Sequence, residues 1–109
     1  MTVWYRVREL GVGRTFYTDQ LGFTETYLDE EGRWAKLRRG GMEIALAEGE
    51  PEEGGVAHVD VDDVTAEADR LRESGVEVGV VLDLLGEVRI IDVYDPDGNR
   101  IQLAQELVK

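Results

Sequence analysis

The segment Asp92–Ala104, DVYDPDGNRIQLA, reads as a strand, a tight turn and a second strand. Pro96 presets φ for a turn, and Gly98 and Asn99 both tolerate the left-handed conformation that closes one. In the strand that follows, Ile101 and Leu103 share one face, and Gln102 and Ala104 share the other. A polar residue, Gln102, therefore lies on an inward face directly after a sharply built turn. Catalytic remnant, pocket floor and neither of these are the readings to be separated.

Working outward, the strand pattern recurs. TVWYRV (2–7) alternates Val3, Tyr5 and Val7 with Thr2, Trp4 and Arg6, as a half-buried strand does. ELGVGRTFYTDQLGF follows with helical spacing of Leu10, Phe16, Tyr17 and Leu21, and Gly22 supplies a C-terminal stop. Gly11 and Gly13 weaken its first turns. TETYLD, RWAKLRR and MEIALAE are then three strands, divided by turns at Glu30-Glu31-Gly32 and Gly40-Gly41. After the polar linker PEEGG the order starts again. VAHVDV is a strand, Asp62 or Asp63 caps the helix VTAEADRLRESG, and VEVGVV, EVRIIDVY and RIQLAQ are three more strands. The predicted fold is α+β. Two repeated βαβββ modules, offset by about 54 residues, form curved mixed sheets around a cleft. The expected organisation is a single domain over 1–109, with module one at 1–50, the linker at 51–55 and module two at 56–109. One helix covers one face of each four-stranded sheet, so the other face must meet a second sheet, another chain or a ligand.

Composition narrows the function classes. The chain has 24 acidic and 12 basic residues and a net charge of −12, a field that opposes nucleic acid and anionic membranes. The same field favours cationic ligands, although solubility alone accounts for it. There is no cysteine, hence no disulfide frame, thiolate metal site or cysteine nucleophile. No apolar run approaches membrane-spanning length and no signal peptide is evident, so a cytoplasmic location is expected. Phosphate-cradling glycine loops, nucleophile elbows and zinc motifs are absent, and Gly11 and Gly13 make no dinucleotide fingerprint.

The paired modules, with FYTDQLGF at Phe16–Phe23, HVDVDDV at His58–Val64 and YDPDGNRIQL at Tyr94–Leu103, resemble the vicinal-oxygen-chelate superfamily. That group includes glyoxalase I, extradiol dioxygenases, fosfomycin resistance enzymes and bleomycin resistance proteins. The fold hosts metal enzymes and metal-free binders alike, so the resemblance does not decide function. It implies four metal-ligand positions, on the first and last strand of each module, which fall on Thr2, Ala45, Val56 and Gln102. Two of these have no donor atom and two offer only a neutral hydroxyl and a neutral amide. Divalent ions are held by imidazole and carboxylate donors, so no metal and no other cofactor is expected. His58, the only histidine, lies two residues beyond a ligand position. A register slip would bring it to a metal with Asp60, Glu43 or Glu48, whereas without one it lines a pocket.

Strand parity predicts one cleft-facing set: Thr2, Trp4, Arg6, Trp34, Ala45, Ala47, His58, Asp60, Asp92 and Gln102. Tryptophans over small alanines with a few polar groups suit a flat organic molecule, although Trp4 and Trp34 would equally close a sheet or subunit interface. Asp60 and Asp92 could exchange protons if buried together. WAKLRRGGMEIALAE and DPDGNRIQLAQ look most like the metal-free bleomycin resistance branch, which implies drug sequestration by a homodimer. The expected function is metal-free binding of a small organic ligand, cationic and aromatic. Trp4 and Trp34 would stack on it, Asp60 and Asp92 would meet positive charge, Arg6 would line the site, and His58 and Gln102 would hydrogen-bond. The alternative is a metal-dependent lyase, isomerase or dioxygenase with an atypical site.

Overall fold

The computed structural model describes residues 2–107. Strands β1 (Thr2–Val7), β2 (Thr24–Asp29), β3 (Trp34–Arg39) and β4 (Met42–Glu48) form one sheet in the order β1-β4-β3-β2. Between β1 and β2 runs α1 (Leu10–Thr15), which continues as a π-helical segment over Phe16–Gln20. The second module repeats this plan. It contains β5 (Ala57–Asp60), α2 (Val64–Glu73), β6 (Glu77–Val78), β7 (Leu82–Leu84), β8 (Val88–Tyr94) and β9 (Arg100–Glu106), in the sheet order β5-β9-β8-β6 with β7 also on β8. In each sheet the first and last strands pair in parallel and the remaining pairs are antiparallel. The mixed α+β architecture predicted above is therefore observed.

Alternation decides which faces are buried. Tyr5, Val7, Ala35, Leu37, Ile44 and Leu46 turn one face of the first sheet onto Leu10, Phe16, Tyr17 and Leu21. Ala57, Val59, Ile91, Val93, Ile101 and Leu103 do the same against Val64, Ala68 and Leu71 of α2. Both sets belong to one continuous core. Asp63 caps α2, its Oδ1 accepting from the Ala66 amide at 3.0 Å. At Gly13 α1 lies close on β1: a Cβ there would come 3.1 Å from a Val7 methyl, a tight contact.

The second strand of module two departs from expectation. VEVGVV is not one strand: β6 is two residues long, and the chain breaks away after Gly79, whose amide bonds to the Asp92 carbonyl at 2.8 Å. It returns as β7, pairing Leu82 with Ile90 and Leu84 with Val88 through a turn at Leu85-Gly86. That hairpin was hidden because its turn places a leucine at positive φ (Leu85, +56°) ahead of Gly86 (+70°), where sequence signals favour asparagine, aspartate or glycine.

A buried polar network joins the modules at the DPDGN turn. Asp95 Oδ2 accepts from the Tyr17 hydroxyl at 2.7 Å and from Asn99 Nδ2 at 2.9 Å. Its Oδ1 accepts from the amides of Asp97 and Asn99, each at 2.9 Å. Asn99 Nδ2 also donates to the Arg6 carbonyl at 2.8 Å. Gly98 alone carries the turn's positive φ (+84°), so Asn99 serves through its side chain and not through backbone tolerance. The Tyr5 hydroxyl donates to the Arg100 carbonyl at 2.6 Å and accepts from the Ala57 amide at 2.8 Å. Burial pushes the Tyr5 hydroxyl up to about 12 and Tyr17 well above the usual tyrosine range, so both are protonated donors. Arg39 adds a charged tie to Glu67 at 2.5 Å.

Within module one, Glu48 gathers three elements. It pairs with Arg33 at 2.6 Å and accepts from the Leu10 amide at 3.0 Å, which fixes the β2–β3 turn and the start of α1 to the end of β4. Arg33 sits at φ +57°, a conformation this pairing helps to hold. The Arg33 hydrogen bond, then that amide, lower the Glu48 carboxyl to about 2 from an ordinary 4.5. A depressed carboxyl pKa contributes stability that is complete above the unfolded value and lost as pH falls toward the folded one. Thermal melts across the acid range should therefore decline between those two values, and Glu48→Gln should be less stable near neutrality with a shallower acid limb. An unchanged limb in Glu48→Gln would remove this contact from the acid response.

Candidate functional site

The residues expected to face one cleft divide between two open sheet faces. On the first sheet, cross-strand register aligns Thr2 with Glu43 and Arg38, Trp4 with Ala45 and Lys36, and Arg6 with Ala47 and Trp34. Trp34, whose parity depended on where its strand began, does share the face of Trp4 and Arg6. On the second sheet His58 aligns with Gln102 and Asp92, and Asp60 with Ala104 and Ile90.

The first face is aromatic. Trp4 and Trp34 lie 5.5 Å apart between ring centroids, tilted by 37°, and Trp34 lies 4.9 Å from Tyr27. Trp4 is 54% exposed and Tyr27 48%, whereas Ala45 is fully buried as a floor. The Trp34 indole N–H donates to Asp29 Oδ2 at 3.2 Å, which fixes that ring. The same carboxylate accepts from the Gly32 amide at 2.8 Å, and a Cβ on Gly32 would meet it at 2.6 Å. Lys36 places its amine 5.7 Å from the Trp34 ring centroid. Arg6 pairs with Glu52 of the linker at 3.5 Å.

Simple alternation missed Tyr27, because a bulge intervenes. Glu25 pairs with Leu37 but Tyr27 pairs with Lys36, so Thr26 is the extra residue and Tyr27 passes to the open face. Glu25 stays on the helix side and pairs with Arg14. The signal available in sequence was this carboxylate, which needs a partner if turned inward.

The second face is polar and apolar in separate bands. Gln102 Nε2 donates to Asp92 Oδ1 at 3.4 Å, and Arg100 lies 3.5 Å from Asp92. His58 and Asp60 are exposed. Asp60 and Asp92 are not buried together, so the condition set for proton exchange between them is not met. Leu82 and Leu84 flank Ile90 and Val88, and both leucines are about half exposed.

The four positions carried from the metal-using enzymes do not fit a divalent ion. Ala45 and Val56 offer no donor, Gln102 is engaged with Asp92, and the Thr2 hydroxyl donates to Glu43. That hydrogen bond lowers the Glu43 carboxyl below its usual range. Glu43 and Glu48 are committed on the first sheet and do not join His58 and Asp60. Among the described residues no three His, Cys, Asp or Glu side chains converge.

The family model described as Glyoxalase/Bleomycin resistance protein/Dioxygenase superfamily matches residues 2–103. The chain belongs to this superfamily. Solved structures share its fold. The antibiotic-binding protein TnmS3 of a Streptomyces species is 26% identical, with a TM-score of 0.80 and 96% and 93% of the two chains covered. The bleomycin-binding protein of Streptomyces verticillus, complexed with copper(II)-bleomycin, is 21% identical, with a TM-score of 0.72 and 94% and 92% covered. Lactoylglutathione lyase of Agrobacterium tumefaciens is 18% identical, with a TM-score of 0.73 and 96% and 91% covered. No curated protein matches the chain. Two binders and an enzyme thus share this backbone, and the side chains on the open faces must separate them. No helix among the described residues is long and apolar enough to cross a membrane.

Proposed function

We propose that this superfamily member is a metal-free small-molecule binding protein that captures a planar organic ligand, with antibiotic sequestration as its use. One observation carries the reading: Trp4 and Tyr27, each about half exposed, cluster against a partly buried Trp34 over an alanine floor. Large rings left in water are costly unless something covers them, and stacking on a planar ligand recovers that area. The family resemblance to antibiotic binders supports the same use. Asp60 and Asp92, with Gln102 and His58, would meet the ligand's cationic and polar parts from the second sheet, and Arg6 would border the aromatic wall.

The two faces come together, in this proposal, through a second copy of the chain. On the first face Arg6 pairs with Glu52 and Arg38 with Glu43, so its charges largely balance, whereas the second carries Asp60, Asp92 and Glu106 with Arg100 against Asp92. A two-fold arrangement would set the aromatic first face of one copy against the second face of the other, twice over. Val80, Leu82, Leu84 and Leu85, the last 95% exposed, form an apolar edge for such a contact.

Titration with bleomycin, and with a planar polycyclic antibiotic, should quench tryptophan emission saturably at one ligand per cleft. Trp4→Ala with Trp34→Ala should lower affinity about a hundredfold by calorimetry, with the fold retained. Unchanged affinity, or no saturable quenching by either compound, would contradict the reading. Sedimentation should show a dimer that Leu82→Asp with Leu84→Asp converts to monomer; a monomeric wild type would contradict the paired arrangement.

A further inference from the structure

Acids outnumber bases two to one in this chain, so an unpaired cation is the unexpected case. The arginines follow the expectation. Among the described residues only Arg70 lacks a carboxylate within 4.0 Å, and it donates to the Gln20 carbonyl at 2.7 Å. Among the described residues Lys36 is the one lysine or arginine with neither kind of partner. It stands in the middle of β3, between Ala45 of β4 and Tyr27 of β2 in register, with its amine over Trp34.

We infer that Lys36 is an anion-recognising subsite of the aromatic face, selecting planar ligands that carry a carboxylate or a comparably acidic substituent. The inference rests on the ligand-binding reading above and specifies the chemistry of that site. An ammonium has three N–H donors, and the indole face satisfies its charge only in part, so donors remain for an incoming oxyanion. The adjacent acids are occupied. Glu43 accepts from the Thr2 hydroxyl and pairs with Arg38 at 3.4 Å, and Asp29 holds the Trp34 indole and the Gly32 amide. Neither comes within ion-pair distance of Lys36.

Geometry then links the two parts of such a ligand. A ring stacked against Trp34 and Tyr27 brings an acidic substituent toward Lys36, where the rings and the ligand itself exclude water from one side. Charge-assisted hydrogen bonds gain strength in that setting. The protein's overall charge of −12 repels anions, so a preference for an anionic ligand can only arise locally. Ala45 leaves the position opposite Lys36 clear of any competing side chain.

A matched pair of probes isolates the charge. Tryptophan quenching is followed during titration with 2-naphthoate and with the neutral 2-naphthalenemethanol at moderate salt. The wild-type protein should bind both, the carboxylate about tenfold more tightly. Lys36→Met should bring 2-naphthoate down to the level of the neutral probe while leaving the neutral probe's affinity unchanged, which also reports an intact fold. Lys36→Arg should keep the preference. Equal affinities in the wild type, or a preference surviving in Lys36→Met, would overturn the role of Lys36 alone. Absence of binding by both probes would overturn the aromatic pocket, and this subsite with it.

Discussion

A single buried carboxylate, Asp95, sets the geometry of both open faces. Its two oxygens accept four hydrogen bonds, from Tyr17 in module one and from Asp97 and Asn99 in its own turn. A charge only 5% exposed is tolerable because every approach to it is filled by a donor. Breaking one side of such a network leaves an uncompensated buried group, which costs more than the lost bond. Asn99 passes the restraint to the backbone of β1 at Arg6, and Tyr5 returns it to the start of β5. The turn after β8 thus locks the module that carries the tryptophans to the module that carries His58 and Gln102.

With the helix-covered faces consumed in the core, the remaining sheet faces are what the molecule can offer a ligand or a second chain. They are chemically unequal. The first combines rings, a small-residue floor and basic side chains; the second combines carboxylates, an amide and an apolar edge. Gln102, at one of the positions that the resemblance assigns to a metal ligand, turns its amide to Asp92 at 3.4 Å. A neutral amide held by a neighbouring acid orients a ligand better than it polarises one. A neutral donor set of this kind suits recognition better than Lewis-acid chemistry.

The βαβββ repeat was legible because its signals are local. Alternation in TVWYRV and MEIALAE, the cap at Asp63 and the Pro-Asp-Gly turn each act within a few residues. Leu10 and Val64 open the two helices at corresponding points of the repeat. What escaped reading depends on contacts across the chain. The Thr26 bulge redirects Tyr27 to the open face while Glu25 stays paired with Arg14 on the helix side. The β7 strand was obscured by a turn with leucine at positive φ. The isolation of Lys36 could not be read at all, since it consists of where other acids go. Parity correctly placed Trp4, Arg6 and Trp34 on one face and His58, Asp60, Asp92 and Gln102 on the face of the other sheet, but parity speaks of faces within a sheet and not of how two sheets meet.

The central claim is that these faces bind an organic ligand and do not assemble a metal centre. Calorimetric titration of the chelator-stripped protein with Ni²⁺, Zn²⁺ and Mn²⁺, at neutral pH and moderate salt, tests it most directly. The account predicts only weak, salt-sensitive heats from cations gathering on an acidic surface. Tight uptake of one ion per cleft, abolished in His58→Ala, would contradict it.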